Sequence, residues 1–231
     1  MLRKKTKRDI YELISNKKPK SAMAEAYRTL RTNVGFAEVD QPCRSLLFTS
    51  PRPLDGKSFT IANFAVVMAQ AGHKVILVDA DLRRPKQQQI FQVNNQRGLT
   101  NCLLQQVSWA EVAHTGLVEN LSLLTSGPIP PNPAEILNSQ RARDFWPSLL
   151  KQYDYVLIDA PPVLAVTDAA IMVTQVEGVI LVISAGTKVD LAKEAKAQLM
   201  KGNSRMIGVI LNKAKMDHNE GGYYYYYSST S

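Results

Sequence analysis

The chain has 231 residues, of which 45% are apolar, and a formal net charge of +8. It is long enough to bury a full core, and its longest apolar run is far shorter than the ~18 residues of a membrane span, so we expect one soluble domain that does not cross a membrane. The two cysteines, Cys43 and Cys102, lie far apart, which fits a reducing compartment and excludes a Cys-rich metal site within one chain.

The first predicted segment is a basic arm over residues 1–20. It holds eight Lys or Arg and two acidic residues, which accounts for +6 of the net +8. The IYELIS run that follows the first charges is too short and polar for a signal peptide, so we expect a cytoplasmic protein. The arm is either a solvated tail or a contact for anionic lipid or an acidic partner. No nucleic acid is expected, because no recognised nucleic-acid module accompanies the charge.

Apolar periodicity predicts strands and helices that alternate along the rest of the chain. The predicted strands cover residues 46–49, 75–79, 121–125, 155–159, 179–183 and 207–211. The predicted helices cover about 20–37, 57–71, 108–113, 133–138, 141–152, 166–176 and 188–201. This alternation is typical of an α/β fold with a doubly wound, mostly parallel sheet and helices on both of its faces.

A phosphate-binding loop is predicted between the first strand and the helix after it, in the sequence LLFTSPRPLDGKSFT. The loop amides and the positive helix end would face the anion, Lys57 would reach the outer phosphates, and the Ser58 hydroxyl could bind Mg²⁺. The match to the P-loop pattern is incomplete. Pro51 stands at its first glycine, and Leu54 stands where deviant loops commonly have glycine. On its own, the Gly-Lys-Ser triplet could be a coincidence.

Three acidic residues follow predicted buried strands. The segment VILVDADLRR presents Asp79 and Asp81, and YVLIDAPP ends its strand with Asp159. Because the carboxyl ends of parallel strands meet at one edge of a sheet, we expect these carboxylates beside Lys57. A single aspartate at a strand end is more often a helix N-cap or a turn residue. Three of them together with the Gly-Lys-Ser loop favour a nucleotide site.

The last predicted segment is a flexible tyrosine-rich tail over residues 215–231, which leaves a P-loop domain over residues 21–214. A packed strand would bury only alternate rings of the five consecutive tyrosines in this tail. A sticky low-complexity tail and an adhesive interface peptide are the alternatives to a phosphoryl acceptor. Phosphorylation would add about −1.5 to −2 charge per tyrosine, so the tail could switch an assembly. The tyrosines are Tyr223, Tyr224, Tyr225, Tyr226 and Tyr227.

The combined motifs resemble the bacterial tyrosine kinases (BY-kinases) that control capsule and exopolysaccharide synthesis in Gram-positive bacteria. The resemblance runs through the Gly-Lys-Ser loop, VDADLRRP, LTSGPIPPNPAEIL, VLIDAPP, GVILNK, the tyrosine cluster and the helix motif Glu25-x-x-Arg28-x-x-Arg31. Single motifs are shared with the related ParA/MinD-type P-loop ATPases, whereas the tyrosine cluster and the helix motif are not.

The resemblance implies an ATP-dependent tyrosine autokinase that uses Mg²⁺. Its catalytic residues would be Lys57, Asp79, Asp81 and Asp159. Within this set, Asp81 would accept the tyrosine proton, and Asp79 and Asp159 would act with Ser58 on the metal. The nucleotide-binding residues would be Asp55, Gly56, Lys57, Ser58, Phe59, Asn212 and Lys213. The last two would contact the base, and an ordinary turn after a strand is the alternative for them.

The resemblance also implies partners. Glu25, Arg28 and Arg31 would form a head-to-tail interface that closes a homo-oligomeric ring, although their spacing also fits intrahelical ion pairs. The tail could then reach a neighbouring active site. A separate membrane-embedded activator, a polysaccharide co-polymerase with a cytoplasmic tail, would recruit the chain to the inner face of the membrane. A cognate phosphotyrosine phosphatase would reverse the reaction.

Two other functions stay open on the sequence alone. One is a ParA/MinD-like positioning ATPase without kinase activity. The other is a scaffold of the same pathway whose nucleotide binding is impaired by Leu54.

Overall fold

A computed structural model describes residues 13–214, and the tyrosine cluster and the first twelve residues lie outside the described range. Its strands are β1 Ser45–Thr49, β2 Val75–Asp79, β3 His114–Val118, β4 Leu121–Leu124, β5 Tyr155–Asp159, β6 Gly178–Ser184 and β7 Arg205–Asn212. Its helices are α1 Ile14–Lys17, α2 Ala22–Ala37, α3 Lys57–Gln70, α4 Gln87–Phe91, α5 Leu99–Leu103, α6 Trp109–Val112, α7 Pro133–Leu137, α8 Gln140–Leu149, α9 Asp168–Val173 and α10 Val189–Leu199.

The seven strands form a single sheet in the order β3-β4-β2-β5-β1-β6-β7. Every neighbouring pair is parallel except β3 and β4, which are antiparallel. The predicted doubly wound, mostly parallel sheet is therefore confirmed. All six predicted strands are present, and each boundary agrees with the prediction to about two residues.

The elements that the sequence did not predict are short. Strand β3 has five residues that are all at least partly exposed, so its apolar pattern is weak. Helices α1, α4 and α5 have four or five residues each, which is barely more than one helical turn. Periodicity needs several turns to be visible, so these elements gave no signal. Helices α6 and α7 are equally short but were predicted.

The central strands are apolar on both faces because helices cover the sheet from both sides. All five residues of β1 and of β2 are buried. On one face, Leu47 and Ile76 pack in a cluster with Trp146 of α8. On the other face, Leu46 and Phe48 pack with α3, whose residues are mostly buried. This double cover fixes the carboxyl ends of the strands at one edge, where the predicted site lies.

Helix α1 packs against α3. Leu13, just before α1, is buried, and Ser15 donates its backbone N–H to Asn63 Oδ1 at 3.0 Å. Gln70 Nε2 in turn donates to the Ser15 carbonyl at 3.3 Å. These contacts connect part of the segment that the sequence assigned to the basic arm with the folded domain.

No helix among residues 13–214 combines the length and apolar character that a membrane span requires.

Candidate active site

The phosphate loop connects β1 to α3 and is fixed by its own acidic side chain. Gly56 is the N-cap of α3 and has a φ of 92°, which favours glycine. A Cβ atom at Gly56 would also overlap the side-chain amide of Asn212. Asp55 is buried, and its Oδ2 accepts the Arg52 N–H at 3.0 Å. Contacts within the protein therefore hold the loop in this conformation.

The end of β7 holds the same loop from the other side. Asn212 Nδ2 donates to the Asp55 carbonyl at 2.9 Å, and Lys213 Nζ donates to the Leu54 carbonyl at 2.6 Å. The contact with the nucleotide base that the sequence indicated for Asn212 and Lys213 stays a prediction. Their observed contacts connect the last strand with the phosphate loop.

Leu54 has a backbone conformation that side chains other than glycine rarely adopt. Its φ is 69°, and its side chain is 88% exposed. The conformation costs about 1–2 kcal/mol for an ordinary L-residue. Leucine in place of glycine therefore affects the loop through its backbone conformation. The side chain points into solvent and does not pack on the loop.

Lys57 lies between the ends of two strands. Its Nζ is 3.0 Å from Asp159 Oδ1 and 3.1 Å from Asp81 Oδ2, and it donates to Ser58 Oγ at 3.2 Å. Burial lowers the pKa of Lys57, but the carboxylates of Asp159 and Asp81 more than offset that effect, so its pKa lies above the ordinary value. The ammonium therefore stays charged in a buried place.

Asp79 and Asp159 are paired across β2 and β5, and both are completely buried. Asp79 Oδ2 accepts the N–H groups of Lys86 and Gln87, each at 2.9 Å. Burial and, after it, the charge of the neighbouring Asp159 raise the pKa of Asp79 to about 7, against the opposing effects of these two N–H donors and of Lys57. Two adjacent buried carboxylates repel each other, and a cation beside them would relieve that repulsion.

Asp81 lies just after β2 and shares the Lys57 ammonium with Asp159. Its second oxygen, Oδ1, accepts the Arg84 N–H at 3.0 Å. Between these two residues, Arg83 makes a bidentate pair with the buried Asp168 of α9, at 2.9 and 3.0 Å. The loop that follows β2 is thereby anchored to the helix layer on one face of the sheet.

Gln87 is a member of this cluster that the sequence did not reveal. Its Nε2 donates to Asp159 Oδ2 at 2.7 Å and to the Ser58 carbonyl at 3.0 Å. In the sequence, Gln87 is the first of three consecutive glutamines, and nothing distinguishes it from Gln88 and Gln89. Only the fold shows which of the three faces the carboxylates.

The donors at the site suit Mg²⁺ bound to a nucleotide. Residues 13–214 contain no group of three His, Cys, Asp or Glu side chains arranged to hold a metal ion by themselves. Magnesium keeps several waters and takes few protein ligands beside phosphate oxygens. The Ser58 hydroxyl at the start of α3, with Asp79 and Asp159 to accept hydrogen bonds from water, fits that requirement.

The other predicted residues lie apart from this cluster or outside the described range. Phe59 is half-buried in the first turn of α3. On α2, Arg28 Nε donates to Glu25 Oε2 at 2.7 Å, so the intrahelical ion pair is present. Arg31 Nη1 donates to the Val67 carbonyl of α3 at 3.1 Å. The five tyrosines, Tyr223 to Tyr227, are outside the described residues.

A charged lysine that follows a left-handed glycine at the start of a helix, and that faces carboxylates at two parallel strand ends, defines a P-loop nucleotide-binding protein. The family described as an AAA domain matches residues 55–206. Tyrosine-protein kinase YwqD of Bacillus subtilis is 45% identical over 213 residues, which are 91% of this chain and 90% of YwqD. Putative tyrosine-protein kinase CapB of Staphylococcus aureus is 39% identical over 221 residues, 95% of this chain and 96% of CapB. The chain therefore belongs to the bacterial tyrosine-protein kinase family.

Comparisons with structures and with longer relatives agree with this assignment. The crystal structure of the chimerical protein CapA2B2 superposes with a TM-score of 0.85 at 38% identity and covers 88% of this chain and 90% of that one. Tyrosine-protein kinase Wzc of Salmonella typhimurium is 36% identical over 204 residues, which are 87% of this chain but 28% of Wzc. MinD of Pyrococcus horikoshii shares the fold, with a TM-score of 0.65 at 22% identity over 76% of this chain and 72% of that one.

Proposed function

We propose that this protein is an ATP-dependent protein-tyrosine kinase that phosphorylates its own C-terminal tyrosine cluster between subunits and so regulates capsular or exopolysaccharide synthesis and export. The observation that carries the proposal is the position of Lys57, which lies within 3.1 Å of both Asp81 and Asp159 at the phosphate loop. The kinase activity is the one named for relatives that match this chain over nearly its full length.

Lys57 and the loop amides would hold the β- and γ-phosphates of ATP. Because the ammonium is already charged, it can transfer its hydrogen bonds from the carboxylates to phosphate oxygens without gaining a proton. Ser58 would contribute its hydroxyl to Mg²⁺, and Asp79 and Asp159 would accept hydrogen bonds from the waters around the ion. The bound ion would neutralise charge on the phosphates, which together with positioning is the main requirement of phosphoryl transfer.

Asp81 is the proposed proton acceptor. A tyrosine hydroxyl has a pKa of about 10, so little phenolate is present at neutral pH. As the phenolic oxygen bonds to the γ-phosphorus and the bond to the β,γ-bridging oxygen breaks, the proton would pass to Asp81 and ADP would leave. The Arg84 backbone N–H donates to Asp81 Oδ1 and would hold this carboxylate at the strand end while Lys57 turns toward the phosphates.

The proposed acceptors are Tyr223, Tyr224, Tyr225, Tyr226 and Tyr227. The tail that carries them, residues 215–231, begins two residues after Lys213, which touches the phosphate loop. A flexible segment of that length spans roughly 20–25 Å. Transfer to a neighbour requires an assembly, and the proposed ring would use Glu25, Arg28 and Arg31 of α2.

The proposed partner is a membrane-embedded activator with a cytoplasmic tail, which would keep the kinase at the inner face of the membrane. Support comes from the fused construction of the CapA2B2 chimera and from Wzc, in which the matching region is only about a quarter of a longer chain. A cognate phosphotyrosine phosphatase would return the tyrosines to the acceptor state. This cycle would link the charge of the tail to assembly.

The direct test is incubation of the purified chain with Mg·ATP, with and without a peptide of the activator tail, followed by phosphotyrosine detection and mapping by mass spectrometry. We expect phosphate on the 223–227 cluster, with a stronger signal when the peptide is present. ATP hydrolysis without phosphotyrosine would instead favour a ParA/MinD-like ATPase. Absence of nucleotide binding by calorimetry would favour a scaffold.

A further inference from the structure

Gln87 contacts the three residues at which Mg²⁺ is expected. Its backbone N–H donates to Asp79 Oδ2 at 2.9 Å. Its side-chain Nε2 donates to Asp159 Oδ2 at 2.7 Å and to the carbonyl of Ser58 at 3.0 Å. The side chain is completely buried. These partners come from two strand ends and the start of α3, so one residue of α4 connects all three.

The orientation of the Gln87 amide is determined by these partners. A backbone carbonyl can only accept a hydrogen bond, and an ionised carboxylate can only accept one, so the NH₂ group must face them. The amide oxygen Oε1 therefore occupies the other position. It is buried and has no hydrogen-bond partner among the described protein atoms. A buried acceptor without a partner is unfavourable, so a donor that is not part of residues 13–214 is expected beside it.

We propose that Gln87 is a positioning residue for the magnesium ion of the nucleotide: its Nε2 holds Asp159, and its Oε1 accepts a hydrogen bond from a water molecule bound to the ion. Mg²⁺ retains several waters, and their hydrogens need acceptors close to the ion. Residues that orient metal ligands or bound waters commonly change metal affinity by 10–100-fold when they are replaced. This inference rests on the proposed Mg·ATP-dependent kinase function.

The arrangement at Asp159 shows why the contact matters. Lys57 donates to Oδ1 and Gln87 donates to Oδ2, so each carboxylate oxygen has one donor. When Lys57 moves toward phosphate, Gln87 is the remaining donor that fixes the plane of the carboxylate. Asp159 then keeps Oδ1 available to a water of the metal ion. Without Gln87, the carboxylate could rotate, and one buried oxygen would lose its donor.

The neighbouring Gln88 offers a matched control. It lies on the same helix, and its Nε2 donates to the Pro85 carbonyl at 3.3 Å. Its Oε1 is also buried and has no hydrogen-bond partner in the described part of the chain. None of its recorded contacts is with a carboxylate of the site. Gln88→Leu therefore removes an equivalent amide and leaves the proposed metal contacts in place.

The experiment measures how strongly Mg²⁺ tightens ADP binding to the full chain. ADP affinity is determined by calorimetry with Mg²⁺ and with EDTA, and Mn²⁺ affinity in the presence of ADP is determined by electron paramagnetic resonance. For Gln87→Leu we expect Mg²⁺ and Mn²⁺ to bind at least tenfold more weakly, with ADP affinity in EDTA within about twofold of the wild type. Gln87→Met, which keeps a similar length but has no hydrogen-bond donor, should show the same loss. Gln88→Leu should behave like the wild type.

A kinetic split provides a second readout. In autophosphorylation assays, Gln87→Leu should raise the apparent KM for Mg²⁺ about tenfold and retain most of kcat at saturating Mg²⁺. A purely structural role would instead weaken ADP binding in EDTA and Mg²⁺ alike and lower the melting temperature, and that result would overturn the inference. So would wild-type metal affinity in folded Gln87→Leu and Gln87→Met proteins. Either result leaves the kinase assignment intact if the wild-type protein phosphorylates tyrosine. A wild-type protein whose ADP affinity is the same with and without Mg²⁺ would contradict both the role of Gln87 and the proposed Mg·ATP-dependent function.

Discussion

At the scale of single residues, Lys57 is the charge on which the site depends. It is the cation recorded beside two buried carboxylates, and breaking such a buried pair commonly costs about 3–5 kcal/mol. Lys57→Met keeps a similar stem but removes the ammonium. We expect autophosphorylation to fall at least 100-fold, because the charge that would neutralise the transferred phosphate is lost. We also expect the free energy of unfolding to fall by a few kcal/mol, which urea titration measures.

Asp81→Asn separates these two effects of Lys57. It removes one of the two carboxylates that the ammonium neutralises and keeps the shape of the side chain. The variant should lose phosphotyrosine formation by about 10²–10⁴-fold, as expected for a general base, while its nucleotide affinity changes little. Its stability should fall less than that of Lys57→Met, because Asp159 still pairs with the ammonium. Normal phosphotyrosine levels in a folded Lys57→Met protein would contradict the active-site assignment.

Leu54 permits a test of loop strain. Because its φ is 69°, Leu54→Gly should relieve the conformational cost. We expect the free energy of unfolding to rise by about 1 kcal/mol, because the folded loop holds Leu54 in this conformation. Nucleotide affinity should stay within about twofold, since the loop has this conformation before binding. Thermal unfolding and calorimetry measure the two effects.

Leu54→Ala is the matched control, because alanine retains the Cβ atom that causes the strain but removes the exposed side chain. It should leave both quantities near the wild-type values. If alanine raises the free energy of unfolding as much as glycine does, the leucine side chain is the cause, and the explanation from backbone strain is wrong.

At the scale of elements, the end of α2 contains a buried acid. Glu38 follows the helix and is 6% exposed. Its Oε2 accepts a hydrogen bond from the Tyr155 hydroxyl at 3.4 Å, and its Oε1 has no hydrogen-bond partner within residues 13–214. Burial raises the pKa of Glu38 from 4.5 to about 7, and the Tyr155 hydrogen bond and the charge of Arg205 oppose the shift.

This shift predicts a pH dependence of stability. Because the pKa is higher in the folded state, the contribution of Glu38 is complete below about pH 4.5 and is lost as the pH rises through about 7. Glu38→Gln mimics the protonated acid, so its stability relative to the wild type should increase by about 2–3 kcal/mol between pH 4.5 and pH 8. Urea titrations at several pH values measure the difference.

Glu194→Gln, on the exposed face of α10, controls for the loss of one negative charge. Its stability relative to the wild type should stay constant over the same pH range. A constant difference for Glu38→Gln as well would show that Glu38 does not titrate in this range.

Prediction from sequence succeeded where a pattern was long and failed where a contact depended on the fold. Continuous apolar runs predicted the buried strands β2 and β5. Because parallel strands end at the same edge of a sheet, the sequence also predicted that Asp79 and Asp159 lie together. Gln87 was not, because three consecutive glutamines carry no periodic signal. The loop contacts of Asn212 were also hidden, since they join positions 157 residues apart.

Helix α2 shows the same limit at the level of a motif. Its spacing of charged residues allowed either ion pairs within the helix or a contact between subunits. The Glu25–Arg28 pair is present, and its exposed position limits its value to a few tenths of a kcal/mol. Arg31 instead reaches a backbone carbonyl of α3, which the spacing could not reveal. Neither contact prevents these side chains from also meeting a neighbour.

At the scale of the whole molecule, the position of the tail makes two routes of phosphoryl transfer possible. Lys213 touches the phosphate loop of its own chain and precedes the proposed tail by two residues in the sequence. A route within one chain must fold the tail back at once. A route between chains lets the tail extend into a neighbour in the proposed ring, where a high effective concentration favours transfer.

Mixing two full-length variants decides between the routes. One variant is Lys57→Met with all five tyrosines intact, checked for folding by circular dichroism, and the other keeps Lys57 but has phenylalanine at positions 223–227. We expect phosphotyrosine on the Lys57→Met chain, because the intact site of its partner would receive that tail. Adding alanine at Glu25, Arg28 and Arg31 of both variants should reduce the signal at equal protein concentration, since transfer would become bimolecular. An unphosphorylated Lys57→Met tail, in a mixture shown by light scattering to co-assemble, would establish that each chain phosphorylates only itself.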